Sequence, residues 1–76
     1  MEVKVYSTPT CPHCNMVKDY LTSKNISYQN IDVSIDSNAA QEMVEVSGQM
    51  GVPVIIIDGQ VSVGFDKARL ESLLGK

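Results

Sequence analysis

Cys11 and Cys14 are the only cysteines of the chain, and its one histidine, His13, lies between them. The stretch Thr8-Pro9-Thr10-Cys11-Pro12-His13-Cys14 separates a run that reads as a strand, Val3 to Ser7, from one that reads as a helix, Met16 to Ser23. Two thiols at this spacing, at the start of a helix, can close a small disulfide ring and open it again. The first helical turn has N–H groups without intrahelical partners, and the peptide dipoles place partial positive charge there. A thiolate is favoured at such a point, and the thiolate is both the nucleophile and the better leaving group. Pro12 suits the first turn, because its fixed φ is helical and its missing N–H would have had no partner. This spacing predicts Cys11 at or beside the N-cap as the exposed, attacking sulfur. Cys14 follows one turn on, deeper, as the resolving sulfur. Protonated His13 would add positive charge beside Cys11.

Three other uses of the pair compete. Zinc takes four ligands, and the chain offers two cysteines and a histidine wedged between them, so a metal site would have to be shared across a dimer. A structural disulfide closing so short a loop removes little entropy from the unfolded chain. Two buried, inert cysteines are the third possibility. A redox pair accords best with a C-x-x-C beside a strand-helix-strand pattern.

The elements that must position this pair follow in order. With 76 residues, the chain is expected to form one domain spanning 1–76. Its hydrophobic fraction of 43% argues against disorder, and its net charge of −3 excludes a basic nucleic-acid footprint. The longest apolar run, Val52 to Ile57, cannot span a bilayer. Met1-Glu2-Val3-Lys4 enters a strand without a leader-like pattern, so a cytoplasmic location is expected. After Cys14, Met16, Val17, Tyr20 and Leu21 predict one buried stripe, with Lys18, Asp19 and Thr22 on the opposite face. Asn25 suits the left-handed position that ends the helix. Ile26 to Val33 reads as a second strand, parallel to the first. Asp36 or Ser37 caps a second helix through Ala39, Ala40, Met43, Val44 and Ser47, with Gln41, Glu42 and Glu45 on its wet face and Gly48 at its end.

Gly51-Val52-Pro53 turns the chain into Val54-Ile55-Ile56-Ile57, a β-branched run that predicts a central strand buried on both faces. Asp58-Gly59 is a hairpin signal, and Gln60 to Val63 is the return strand. Asp66 caps a last helix, Lys67 to Leu74, that buries Ala68 or Leu70 with Leu73 and Leu74; Gly75-Lys76 is a short tail. The order is β-α-β-α-β-β-α, an α/β chain.

Taken together, Tyr6-Ser7-Thr8-Pro9-Thr10-Cys11-Pro12-His13-Cys14, Gly51-Val52-Pro53 and Gly64-Phe65-Asp66 resemble the glutaredoxin family of the thioredoxin superfamily. The resemblance covers essentially the whole chain. It implies a thioredoxin fold, a four-stranded mixed sheet flanked by three helices, with the dithiol at one edge and a cis Pro53 facing it. It implies thiol-disulfide exchange by Cys11 and Cys14 on protein disulfides or glutathionylated proteins. Thr10, Pro12, His13, Val52, Pro53, Gly64, Phe65 and Asp66 would line the substrate groove. The backbone of Val52 would pair with the cysteinyl part of glutathione, and Asp66 would meet its γ-glutamyl end. No bound cofactor or metal is expected, glutathione is the expected co-substrate, and a monomer is expected.

Departures from the pattern leave the electron donor open. Thr8 stands where many glutathione-using members have lysine, and Val63-Gly64-Phe65-Asp66-Lys67 lacks their second glycine and further aspartate. That ending is similar to ribonucleotide-reductase redoxins and to clostridial-type proteins reduced by a thioredoxin-reductase-like flavoprotein. His13 replaces a common tyrosine. An iron–sulfur carrier, with a cluster shared across a dimer through the first cysteine and glutathione, is a further alternative that the stiff Pro12 disfavours.

Overall fold

Alternation along the first strand sorts the sheet into two faces. In the computed structural model, which describes residues 2–49 and 51–75, β1 spans Val3–Ser7. The elements that follow are α1 (Pro12–Ser23), β2 (Gln29–Asp32), α2 (Ser37–Ser47), β3 (Val54–Ile57), β4 (Gln60–Val63) and α3 (Lys67–Leu74). The sheet order is β2-β1-β3-β4. β1 and β2 are parallel, whereas β3 is antiparallel to both of its neighbours. Val3 and Val5 pair with Ile57 and Ile55, and these four pack with Val17, Tyr20 and Leu21 of α1 and Leu70 and Leu74 of α3. Tyr6 pairs with Val54, and both pack with Met43 of α2 on the opposite face. Helices on both faces are why the apolar run of β3 tolerates a central place in an antiparallel ladder: Val54, Ile55 and Ile57 are buried and Ile56 lies half-buried toward α2.

Local chemistry fixes the element ends. Asp36 Oδ1 accepts from the amide of Ala39 at 3.0 Å, so Asp36 and not Ser37 is the cap of α2, and Gly48 ends that helix at φ 75°. Asp58 and Gly59 both have positive φ, 49° and 86°, the requirement of the tight hairpin turn between β3 and β4. Asp58 also anchors the start of β1, since its Oδ1 accepts from the amide of Glu2 at 2.7 Å.

The structure corrects the sequence expectation in two places, at β2 and at Met16, and refines it in two more, at Glu42 and in α3. β2 begins at Gln29, not Ile26. The amide of Ile26 donates to Leu21 O, and Asn25 has φ 59°, so the chain is still turning off α1 there. β1 then supplies partners only from Lys4 to Ser7. Met16 is 46% exposed and lies outside the stripe, which is made of Cys14, Val17, Tyr20 and Leu21. Cys14, which the apolar count did not include, shifts the buried arc away from Met16. Glu42 is exposed, yet its Oε1 accepts the hydroxyl of Tyr6 at 2.6 Å. In α3 the buried residue is Leu70, while Ala68 is exposed. Gly75 ends α3 at φ 75°; Lys76 of the expected tail and Met1 of the expected strand entry lie outside the described residues. Among the described residues, no helix is long and apolar enough to cross a membrane.

Candidate functional site

The loop from β1 to α1 ends in an N-cap made of sulfur. Cys11 is extended (φ −99°, ψ 107°), and Pro12 opens the helix. Cys11 Sγ accepts the amide of Cys14 at 3.2 Å, the place a serine or aspartate oxygen usually takes. The amide of Cys11 donates to Thr8 O at 3.3 Å and closes the turn before the helix. Cys11 is partly exposed, Cys14 is fully buried, and both are free thiols. Thr10, Pro12 and His13 are exposed around Cys11.

Two further segments meet this turn. The Val52–Pro53 peptide bond is cis, as the family resemblance implies. The Cys11 thiol points at Val52 O, with a sulfur–oxygen distance of 3.9 Å, so the backbone before the proline borders the sulfur. Pro53 O accepts the amide of Gly64 at 2.8 Å, which ties the loop after β4 to the proline turn. Gly64 sits at φ 72°, where a side chain would be strained. Phe65 goes inward: its ring meets Tyr20 edge-on at 6.1 Å between centroids. Asp66 Oδ1 caps α3 by accepting from the amide of Arg69 at 3.1 Å. The three segments that carry Cys11, Pro53 and Gly64 are therefore linked by hydrogen bonds, with Phe65 held by packing and Asp66 at a helix start.

Electrostatics separates the two sulfurs. Burial pushes the Cys14 thiol up to about 11, and its hydrogen bond with Cys11 adds to the rise. A backbone contact with Thr8 and the charge of Lys18 pull the other way. Lys18 was placed on the outer face of α1 by its apolar neighbours, but it is half-buried. Its position one turn after Cys14 was the available signal. Among the described residues, no three His, Cys, Asp or Glu side chains group so as to hold a metal ion. A separate cleft of about 280 Å³ opens on the α2 face, lined by Lys4, Tyr6, Gln29, Ile31 and Glu42 among others; neither cysteine borders it.

A parallel β1-α1-β2 unit followed by a β3-β4 hairpin, with a dithiol at the start of α1 and a cis-proline turn against it, defines a thioredoxin-fold protein. The chain belongs to the glutaredoxin family, whose model, described as Glutaredoxin, matches residues 3–62. It is 50% identical over 74 residues to an uncharacterized glutaredoxin-like 8.6 kDa protein in the rubredoxin operon of Clostridium pasteurianum, covering 97% of this chain and 99% of that one. It is 44% identical over 66 residues to glutaredoxin 3 of Escherichia coli K12, covering 84% and 77% of the two chains. A solved mutant of the thioredoxin-like protein BC3987 superposes with a TM-score of 0.92 at 34% identity, covering 97% of this chain and 95% of that chain. Proteins of this family are generally thiol-disulfide oxidoreductases.

Proposed function

We propose that this protein is a dithiol oxidoreductase that reduces protein disulfides or glutathione mixed disulfides. The Cys11 thiolate attacks a substrate disulfide, one substrate sulfur leaves, and a mixed disulfide forms. Cys14 then attacks Cys11, releases the reduced substrate and leaves a Cys11–Cys14 disulfide. The observation that carries this reading is the arrangement of Cys11: its sulfur lies at the N-terminus of α1, 3.2 Å from the amide of Cys14, with Val52 O 3.9 Å away beside cis Pro53. The backbone of Val52 can pair with an incoming extended substrate, which gives affinity with little side-chain selectivity. Thr10, Pro12 and His13 form the exposed rim of that groove. The backbone of Gly64 and Phe65 sets the second wall, where Asp66 receives the amino group of glutathione and free N–H groups of α3 receive its carboxylate. The protein acts as a cytoplasmic monomer of one domain, with no resident cofactor.

Glutathione restores the dithiol in this reading. A second donor, a thioredoxin-reductase-like flavoprotein, is favoured by one observation: Thr8 brings no positive charge to the rim where a glutathione carboxylate would lie. Two coupled assays on the purified protein test both. One supplies glutathione with glutathione reductase, the other NAD(P)H with a thioredoxin reductase. Consumption of pyridine nucleotide in either names the donor, and silence in both, with a disulfide substrate present, defeats the reading.

A further inference from the structure

A polar corner at the β2 edge of the sheet, on the face that α1 covers, has no place in the exchange steps as written above. Val5 pairs with Asn30 and Ser7 with Asp32 in the parallel ladder. Partners in a sheet point to one face, and Val5 lies in the cluster that α1 covers. Ser7, Asn30 and Asp32 therefore lie on the α1 side of the sheet, at its β2 edge. Ser7 is buried, and its hydroxyl donates to Asn30 Oδ1 at 2.7 Å. Asp32 Oδ1 accepts the amide of Ser34 at 2.9 Å and the Ser34 hydroxyl, so the carboxylate has a fixed position. On α1, which covers this face of the sheet, Lys18 is half-buried one turn after Cys14. Four residues apart on one helix, Cys14 and Lys18 share a face of α1, and the Lys18 ammonium favours the charged forms of Cys14 and Asp32 alike.

We propose that Lys18 is a positioning residue for the resolving step: it holds positive charge beside Cys14 while that thiol loses its proton and attacks Cys11. This rests on the exchange mechanism proposed above. Chemistry sets the need. Cys14 enters the step as a buried thiol, and only its thiolate can attack. The new Cys11–Cys14 bond forms as the bond from Cys11 to the substrate sulfur breaks. The electron pair leaves with the substrate sulfur, which takes up a proton as Cys14 gives one up. Once Cys11 is tied into the mixed disulfide, it carries no charge. The charged groups of α1 closest to Cys14 along the helix are then His13, when protonated, and Lys18, while Asp32 lies on the α1 side of β2. Ser7 and Thr8 of the β1 side are uncharged, and β3 and α3 meet α1 with Ile55, Ile57, Leu70 and Leu74. Glu71 of α3 acts on Tyr20, farther along α1.

The test uses the full chain and oxidised glutathione. Rapid mixing followed by acid quench separates formation of the Cys11–glutathione mixed disulfide from its resolution by Cys14, from pH 6 to pH 10. In Lys18→Gln, the ratio of resolution rate to formation rate falls about tenfold at pH 7, and the pH profile of resolution moves up by about one unit. Lys18→Arg restores most of both. An unshifted profile in Lys18→Gln, with formation intact, overturns the proposal and leaves the exchange mechanism standing. Failure of the unmodified protein to form the mixed disulfide at all overturns both. A loss of folding would appear as a fall in formation and resolution together in Lys18→Gln, and Lys18→Arg then decides: a normal profile there supports the proposal, and a shifted one overturns it.

Discussion

The amide of Cys14 donates to Sγ of Cys11 at 3.2 Å, so the residue assigned to release the substrate also fixes the sulfur that captures it. The donor is backbone, and it survives any change of the Cys14 side chain. The two contributions of Cys14 can therefore be separated.

Cys14→Ser keeps the sulfur cap and removes only the resolving thiol. This variant is expected to retain deglutathionylation, which needs Cys11 alone, to within about threefold, and to lose turnover on protein disulfides by at least about a hundredfold. Parallel assays on a glutathionylated peptide and on an insulin-type protein disulfide measure both. Equal loss in the two assays would contradict the division of roles.

Stability should fall with alkaline pH through Cys14. The thiol rises from an ordinary value of 9.0 to about 11 in the fold, chiefly because the ionised form is buried. A raised value means that the folded chain holds the proton longer than the unfolded chain does. The stabilisation is complete below about pH 9 and is lost as pH climbs toward 11. Tyr6 and Tyr20 are also raised by burial and add losses of the same sign, but only from about pH 10 upward. The cleanest window is pH 9 to 10. Urea unfolding under reducing conditions should show a steeper decline for the unmodified protein than for Cys14→Ala, and parallel declines would refute the assignment.

Much of this arrangement was legible in the residues, and the misses have physical reasons. Helix caps at Asp36 and Asp66, the Asp58-Gly59 turn and the buried run of β3 are local signals, each carried by a few adjacent residues. The dithiol at the start of α1 is local as well. What was missed depends on partners far along the chain. β2 is short because β1 offers only a few residues to pair with. Met16 is exposed because a cysteine takes the place in the core that apolar counting gave to methionine. Lys18 is half-buried on α1, a placement against the sheet that the spacing of apolar residues along the helix cannot register. The contact of the proline turn with Cys11 was legible only through family resemblance, since no local rule links positions 11 and 52.

The bond from the Tyr6 hydroxyl to Glu42 Oε1, 2.6 Å long, fastens α2 to the middle of the sheet on the face away from the dithiol. Tyr6→Phe removes that bond while keeping the ring in the core, and Glu42 is exposed enough to be rehydrated. The expected cost is about 1 kcal/mol of stability, with no change in exchange rate. Denaturant unfolding of Tyr6→Phe beside its activity measures this. A large activity loss at unchanged stability would show that the α2 face communicates with the site.

Asp66 has one role in the fold and a second in the proposed function, and two substitutions divide them. Its Oδ1 caps α3 through the amide of Arg69 at 3.1 Å, while the residue is otherwise exposed. Asparagine caps a helix about as well as aspartate, whereas alanine forfeits the cap at a cost of about 1 kcal/mol. Asp66→Ala is therefore expected to unfold at lower denaturant, and Asp66→Asn to unfold nearly where the unmodified protein does. If Asp66 also receives the ammonium of glutathione, both lose that charge. KM for a glutathionylated substrate should then rise about three- to tenfold in both variants, with kcat little changed, because the lost contact is made equally in the bound substrate and the transition state. A KM in Asp66→Asn equal to that of the unmodified protein would confine Asp66 to capping, and would move the electron source toward the flavoprotein, which has no γ-glutamyl group to recognise.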